Sequence, residues 1–232
     1  MVTPVICLAH GSRHPEADAA VARIADAVSG LTGAPAHPSY LDFSALTLTT
    51  VAHLLAAEGH RRATVVPLLF TRAFHMRHDV PEALAEASAA TGLEFTLADG
   101  IGTGGDVAAL LASRIPPGTG HLVLYSVGSS VPGADETVAG LAADVGRRAE
   151  VGAELVTATG PSGGVDALVD AVRRATGPVH VAPLFISPGT LWDAAVDVLT
   201  ALPDNISVTT GVPLDTDVAP LIAHRARERT AG

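Results

Sequence analysis

Short apolar runs alternate with longer stretches of mixed polarity along the whole chain. The runs are apolar at almost every position, which is typical of strands buried on both faces of a parallel sheet. The longer stretches repeat apolar residues at helical spacing and are rich in alanine, a strong helix former. The predicted strands are 5–9, 36–39, 64–69, 95–98, 122–125, 154–157, 179–183 and 207–209. The predicted helices are 17–28, 46–57, 81–90, 107–112, 134–145, 165–174, 191–199 and 218–225. This alternation predicts an α/β fold in which helices cover parallel sheets.

The first half of the pattern recurs in the second half. Residues 8–28 and 125–145 align without a gap and are identical at nine of 21 positions. A second match at nearly the same spacing relates VVPLLFT, residues 65–71, to VAPLFIS, residues 181–187. Two colinear matches indicate an internal duplication, which has to be recognised before the fold is assigned.

The duplication also predicts the domain organisation. We expect an N-terminal half, residues 1–116, and a C-terminal repeat half, residues 117–232, joined through a segment at 113–120 that is rich in proline and glycine. Each half has four predicted strands, and we expect the order 2-1-3-4 in the first sheet. Two duplicated parallel-sheet halves of this kind are expected to face each other across a cleft.

Composition and charge exclude several classes of protein. The chain has one cysteine, which rules out an intramolecular disulfide framework and fits a reducing compartment. Its 14 basic and 24 acidic residues give a formal net charge of −10, which argues against binding to nucleic acid. No apolar run approaches the roughly 18 residues of a membrane helix, and the N-terminus lacks the basic region of a signal peptide. We therefore expect a cytoplasmic protein without a nucleic-acid or membrane partner.

Two histidines follow neighbouring strands of the predicted first sheet. His10 comes directly after the first strand, and His75 lies in the loop after the third. Ligands of open α/β sheets bind outside the carboxyl ends of the strands, where the strand order reverses. We therefore predict that the two imidazoles converge at this point. Val127 and Leu191 occupy the corresponding repeat positions, so the second half has lost both histidines together.

A metal site is the chemistry that this pair favours. Two imidazoles with a carboxylate suit Fe²⁺, Co²⁺, Ni²⁺ or Zn²⁺. The candidate carboxylate is Asp42, which follows the second strand; the alternative is a helix-capping or turn aspartate. Asp79 is better explained as a capping box with Glu82 that opens the next helix. Cys7 is expected to be a small core residue.

Basic residues surround the histidine pair in spite of the acidic composition. They are Arg13, His14, Arg72, Arg77 and His78. One interpretation is an anionic ligand held over the site, helped by N–H groups of a helix N-terminus near Gly11 and Ser12. The other interpretation is ordinary solvated loop charge.

The residues around both histidines resemble those of the sirohydrochlorin chelatases, the class II tetrapyrrole metal chelatases of siroheme and cobalamin synthesis. LAHGSR at residues 8–13 resembles the first-strand motif of that family. VPLLF at 66–70, leading to HMRHDVP at 75–81, resembles the second motif. Asp42 falls where many members have glutamate. The loss of histidines from the second half resembles long-form members that keep one N-terminal site.

The resemblance implies a chelatase fold with flavodoxin-like strand order and a specific reaction. The enzyme would insert Fe²⁺ or Co²⁺ into sirohydrochlorin, with the metal as substrate and no organic cofactor. His10 and His75 would be the catalytic, metal-binding residues, with Asp42 as a third ligand. The anionic tetrapyrrole would be bound by four further residues: Ser12, Arg13, Arg72 and Arg77. A duplicated chain supplies both halves of the cleft, so we expect a monomer.

Two other functions remain open from the sequence. A non-catalytic metal or tetrapyrrole carrier would use the same histidines for delivery and would bind without turnover. A duplicated α/β nucleotide-binding protein is disfavoured, because neither a Walker lysine nor a GxGxxG motif follows the first strand.

Overall fold

The computed structural model describes residues 2–71 and 78–230 and confirms the predicted α/β class. The strands are β1 (Val5–Ala9), β2 (Ala36–Tyr40), β3 (Arg62–Pro67), β4 (Glu94–Leu97), β5 (His121–Ser126), β6 (Gly152–Thr157), β7 (Val179–Pro183) and β8 (Val208–Thr210). The helices are α1 (Ala17–Thr32), α2 (Leu48–Ala57), α3 (Asp79–Thr91), α4 (Gly105–Ser113), α5 (Ala134–Ala149), α6 (Val165–Arg174), α7 (Thr190–Thr200) and α8 (Ala219–Thr230), the last preceded by a 3-10 turn at Asp215–Val218. No helix of these residues is long and apolar enough to cross a bilayer.

The strands form two four-stranded sheets of identical topology. Their orders are β2-β1-β3-β4 and β6-β5-β7-β8, and all neighbouring strands are parallel. The expected 2-1-3-4 order is therefore present in both halves. In each sheet the strand order reverses beside the first strand of that half, β1 or β5, so the loops at its carboxyl end border a ligand-binding position of open α/β sheets.

Apolar packing on both faces of the central strands holds each sheet in place. All five residues of β1 are buried, including Cys7, whose burial raises the pKa of the thiol to about 12. The predicted core role of Cys7 is thus confirmed. In the second sheet, Tyr125, Phe185 and Trp192 pack as a cluster with ring centroids 6.1–6.2 Å apart. These aromatic side chains fill a core that is otherwise made of small aliphatic residues.

The compact units of the chain do not follow the repeat boundary. One unit contains the residues up to Gly102 together with those from Asp215 onward, and the other is Thr103–Leu214. The reason is that α4 packs against α5, whereas α8 packs against α1 and β3. The last helix of each half thus belongs to the unit built on the other half's sheet. The division at residue 116 stays a prediction about the repeat.

The loops after the two central strands share one main-chain geometry. Gly11 and Gly128 both have positive φ, +100° and +89°. The amide of Asp42 donates to the carbonyl of the residue before Gly11 (2.8 Å), and the amide of Thr159 donates to the carbonyl of the residue before Gly128 (3.0 Å). A β-carbon at Gly11 would lie 1.9 Å from the carbonyl oxygen of Asp42, and one at Gly128 would lie 3.0 Å from that of Thr159. The duplication is therefore visible in the backbone itself.

We predict that Gly11→Ala destabilises the protein more than Gly33→Ala does. Both glycines have positive φ, but a β-carbon at Gly33 meets no atom within 4 Å. Both alanines are strained by the positive φ, which lowers the free energy of unfolding of both variants. Only the alanine at position 11 also collides with backbone, and this clash lowers the free energy of unfolding by a further amount of about 1–3 kcal/mol. Urea denaturation of the two variants measures the difference. Equal losses of unfolding free energy would contradict the close approach of the two loops.

Stability should also fall as the pH drops below the ordinary pKa of histidine. His180 on β7 is 4% exposed and is hydrogen-bonded through Nδ1 to the hydroxyl of Thr209 (2.9 Å). Burial, and secondarily the charge of Arg114, lowers the pKa of His180. The unfolded chain therefore binds a proton that the folded chain does not, and stability is lost as the pH falls from about 6.5 toward the lower folded pKa.

The expected result is a melting temperature that falls between pH 7.5 and 5.5, with a smaller fall in His180→Gln. His37, whose pKa burial also lowers, supplies part of the remaining pH dependence. The exposed His53 on α2 gives the matched control, since His53→Gln should leave the wild-type pH profile unchanged. A profile for His180→Gln that coincides with that of the wild type would show that this imidazole is not the cause.

Candidate functional site

His10 lies at the point of the first sheet where the strand order reverses. It is the first residue after β1, which is bordered by β2 on one side and β3 on the other. The residue is half-buried, and its Nδ1 lies 3.3 Å from the carbonyl oxygen of Gly11. The fully buried β1 fixes the position from which His10 leaves the sheet. The predicted location of this histidine is therefore correct.

Asp42 is held beside His10 by main-chain contacts. The amide of Leu41 donates to the carbonyl of Ala9 (3.0 Å), and the amide of Asp42 donates to the carbonyl of His10 (2.8 Å). The absence of a side chain at Gly11 makes this approach possible. The exposed carboxylate of Asp42 accepts a hydrogen bond from the amide of Phe43 through Oδ1 (2.8 Å). One such bond leaves further acceptor capacity on the carboxylate, because its two oxygens offer about four lone-pair positions.

Hydrogen bonds hold the loop that carries Asp42 at its base and against α1. The amide of Tyr40 donates to the carbonyl of Leu46 (3.0 Å), which closes the loop at its base. The hydroxyl of Tyr40 donates to the carbonyl of Asp18 on α1 (3.1 Å), and the hydroxyl of Ser44 donates to the carboxylate of the same residue (3.0 Å). Burial is the first cause that raises the pKa of Tyr40, and Asp18 raises it further. The loop is therefore preorganised before any ligand binds.

Phe43 is a site residue that the sequence reasoning missed. Its ring is 46% exposed, and its φ of 60° lies in the left-handed region, which is rare for a bulky residue. The ring centroid lies 6.1 Å from that of His10, and Cζ of Arg13 lies 4.9 Å above the Phe43 ring. The sequence feature that could have indicated Phe43 is an aromatic residue directly after the candidate carboxylate, in a chain that is only 3% aromatic.

The second predicted histidine lies outside the described residues. His75, Arg72 and Arg77 all fall between residues 71 and 78, so their convergence on His10 stays a prediction. The neighbouring backbone is described: β3 pairs with β1, and the amide of Leu68 donates to the carbonyl of Leu8 (2.8 Å). Within residues 2–71 and 78–230 there is no group of three or more His, Cys, Asp or Glu residues placed to hold a metal ion.

One expectation about anion binding is wrong. Gly11 and Ser12 are not at a helix N-terminus, because α1 begins at Ala17 and the intervening residues form turns. The hydroxyl of Ser12 accepts a hydrogen bond from the amide of His14 (3.1 Å), a local bond that competes with helix formation. Arg13 and Ser12 stay predicted ligand-binding residues, through their side chains and not through a helix dipole.

The predicted capping box at α3 is also wrong. Asp79 is the first residue of the helix itself, and the N-cap position belongs to His78, which is exposed. Asp79 and Glu82 both lie in the first turn of the helix. Their negative charges therefore favour the helix through its dipole instead of through a cap.

The residues that replace the histidines in the second half are exposed. Val127 is 46% exposed at the carboxyl end of β5, and Leu191 is 36% exposed in the first turn of α7. Packing in a core therefore does not explain the two aliphatic side chains. The loop after β5 keeps the main-chain geometry of the loop after β1 without its histidine.

Comparison with known proteins identifies relatives of this chain. Residues 4–117 match the CbiX family model. A sirohydrochlorin ferrochelatase of Bacillus subtilis is 27% identical over 149 residues, which cover 61% of this chain. A sirohydrochlorin cobaltochelatase of Sulfurisphaera tokodaii is 32% identical over 76 residues, which cover 33% of this chain. The alignments span 57% and 61% of the respective relatives' own length.

The fold is shared with a solved chelatase structure over the whole chain. SirB from Bacillus subtilis, determined with Fe³⁺, superposes with a TM-score of 0.81 at 21% identity, covering 100% of this chain and 96% of SirB. The two parallel sheets and their helices thus have the architecture of that protein. The match of residues 4–117, which include the His10 loop and the Asp42 loop, assigns this part of the chain to the CbiX family.

Proposed function

We propose that this protein inserts Fe²⁺ or Co²⁺ into sirohydrochlorin, in the synthesis of siroheme or cobalamin. The match of residues 4–117 to the CbiX family and the names of the two relatives support this reaction. The observation that carries the proposal to this chain is the hydrogen bond from the amide of Asp42 to the carbonyl of His10 (2.8 Å). It keeps the main chains of a histidine and an aspartate adjacent at the reversal point of the first sheet, and the side chains of both residue types are ligands for these metals.

The reaction exchanges two protons for one metal ion. Two pyrrole N–H groups of the macrocycle lose their protons, and the ring nitrogens bind the divalent metal as it leaves its protein ligands. We assign reception of the metal to His10 and His75, with Asp42 as the third ligand. One imidazole also accepts a pyrrole proton as general base, and the second pyrrole proton is released to water. A site with so few protein ligands keeps coordination positions open for the macrocycle.

The carboxylates of sirohydrochlorin need cationic partners on the protein. We assign this role to Arg13, Arg72 and Arg77, with the hydroxyl of Ser12 as a further donor. Guanidinium groups bind carboxylates through two parallel hydrogen bonds, which orient as well as attract. In the described part of the site, Arg13 is exposed and faces solvent beside Phe43.

We also propose that the chain acts as a monomer in the cytoplasm. The internal duplication supports a monomer. One chain already contains two copies of the sheet, so a second subunit is not needed to supply the second copy. The single buried cysteine supports the cytoplasmic location, since it fits a reducing compartment.

Replacing His10 by alanine should abolish insertion without unfolding the protein. We expect the rate above the spontaneous background to fall at least about 100-fold, because a metal ligand or a base is lost. The assay follows the absorbance change of excess sirohydrochlorin on addition of Co²⁺ or Fe²⁺, and circular dichroism checks the fold. His53→Ala, on the exposed side of α2, is the matched control and should keep full activity.

The same assay separates an enzyme from a carrier. Many equivalents of sirohydrochlorin converted per protein molecule are expected for the chelatase. Conversion that stops after one equivalent would contradict the proposal and favour a delivery protein. Undiminished insertion by His10→Ala would reject the assignment of this residue while leaving the reaction itself in place.

Two substitutions at Asp42 separate a metal ligand from a structural aspartate. Asp42→Asn keeps an oxygen that can accept from the amide of Phe43 but removes the negative charge. If the carboxylate binds the metal, the substitutions Asp42→Asn and Asp42→Ala should lower the affinity for Co²⁺ to a similar extent, about 10-fold or more. Isothermal titration with Co²⁺ in the absence of tetrapyrrole measures this. Wild-type affinity in Asp42→Asn, with a loss in Asp42→Ala, would assign Asp42 a purely structural role.

A further inference from the structure

We infer that Phe43 is a positioning residue for the tetrapyrrole: its ring supports the macrocycle beside His10 and holds Arg13 where a peripheral carboxylate of the substrate reaches it. The inference rests on the proposed function and names a substrate contact that neither the sequence motifs nor the metal ligands provide. It starts from three observations on one side chain, which are its exposure, its backbone conformation and its two neighbours.

Phe43 is an exposed aromatic residue in the loop that carries Asp42. Its ring is 46% exposed at the tip of a loop, although aromatic residues make up only 3% of the sequence. The other large aromatic cluster, in the second sheet, is buried. The exposed part of the apolar surface of Phe43 contributes nothing to folding through the hydrophobic effect, because it stays in water. Its surface is available to a flat apolar ligand.

The backbone at Phe43 is held in a conformation that phenylalanine disfavours. Its φ is 60°, and a bulky residue in this region is strained. The carboxylate of Asp42 accepts from the amide of Phe43 on one side, and the hydroxyl of Ser44 is fastened to Asp18 on the other. These two hydrogen bonds therefore hold Phe43 in a strained backbone conformation that sets the direction of its ring. A glycine at this position would adopt the same conformation without strain. Such outliers concentrate at binding sites.

The ring of Phe43 stands at a suitable distance from the metal-binding histidine. The two ring centroids are 6.1 Å apart and the planes are inclined by 35°. The metal has to enter the centre of the macrocycle, so an imidazole that delivers it lies near that centre. A ring at this distance from the imidazole is within reach of the pyrrole periphery of a macrocycle centred over His10. Aromatic contact there would fix the macrocycle over the imidazole.

Arg13 couples this aromatic contact to the charge of the substrate. Its Cζ lies 4.9 Å from the centroid of Phe43, within the range of a cation–π interaction. A guanidinium resting on an aromatic ring keeps N–H donors at its edge for a carboxylate. Phe43 therefore restricts a flexible arginine to one region, next to the place where the acid side chains of the tetrapyrrole begin.

The test separates tetrapyrrole binding from metal binding and from folding. Binding of metal-free sirohydrochlorin is followed by its absorbance, Co²⁺ affinity is measured without tetrapyrrole, and KM and kcat are determined for insertion. Phe43→Ala should raise both the sirohydrochlorin Kd and KM by about 5-fold or more, from loss of cation–π and ring contacts. We expect kcat to stay within about 2-fold and Co²⁺ affinity to be unchanged, because uniform substrate binding is what is lost. Phe43→Trp should retain binding.

Two further variants control for the fold. Phe43→Gly removes the ring and relieves the left-handed strain, so it should lose sirohydrochlorin affinity while its melting temperature equals or exceeds that of the wild type. Leu54→Ala removes a side chain of similar exposure, 48%, from α2 and should change neither binding nor kinetics. A purely structural role of Phe43 could not produce weaker binding in a protein that is equally or more stable.

A double-mutant cycle tests the link to Arg13. If Phe43 acts partly through Arg13, the loss of affinity in the double variant Phe43→Ala/Arg13→Ala should be smaller than the product of the two single losses. Full additivity would overturn this coupling.

The outcomes distinguish the inference from the function on which it rests. Wild-type protein that neither binds sirohydrochlorin nor inserts metal would overturn the proposed function and the inference together. An active wild type with wild-type KM and Kd in Phe43→Ala would overturn the inference alone. A parallel loss of Co²⁺ affinity in Phe43→Ala would also overturn it, since the residue would then act on the metal ligands through the loop.

Discussion

The close approach of Gly11 to the carbonyl of Asp42 is the constraint on which the candidate site depends. Two strands of a parallel sheet end at one edge, but their loops ordinarily diverge. Here the missing side chain allows the amide of Asp42 to reach the carbonyl of His10. Backbone contacts thereby place His10 beside the loop that carries Asp42 and Phe43, and the Phe43 ring lies 6.1 Å from the imidazole.

The duplicated half shows that this backbone arrangement and the chemistry are separable. Gly128 and the amide of Thr159 repeat the arrangement in the second sheet, yet the positions of His10 and Asp42 are occupied there by Val127 and Thr159. The loop geometry is thus a property of the fold, whereas the histidine and the aspartate are present in one copy only. This is why a shared fold identifies an architecture but the reaction has to be argued from the side chains.

The sequence predicted the features that depend on apolar periodicity and on strand topology. Every predicted strand and helix has a counterpart among the described residues, and the central strands of the two sheets, β1, β3, β5 and β7, are the ones with the most buried residues. The position of His10 was predictable for the same reason, because it requires only that the end of the buried strand β1 be recognised. These signals are local in the chain or come from general rules of parallel sheets.

Features that depend on long-range backbone contacts were not predictable in this way. Phe43 with its positive φ lies in a loop that the Ser44 hydroxyl bonds to Asp18 on α1, and nothing in the five letters YLDFS reveals that partner. The N-cap at His78 depends on a local turn that takes the place of the predicted cap at Asp79. The exchange of α4 and α8 between the two compact units depends on tertiary packing of helices whose sequences resemble those of any surface helix.

That exchange has a consequence for the order in which the protein acquires its structure during synthesis. Helix α8 packs against α1 and β3, and Arg225 donates to the carbonyls of Gly100 and Ile101. The strands of the unit that contains His10 leave the ribosome before those of the other unit, but its sheet stays uncovered on that side until the residues after Asp215 have been translated. The unit formed by Thr103–Leu214 has all of its own residues earlier. The copy without the histidines can therefore fold first, and the copy that bears them is completed last.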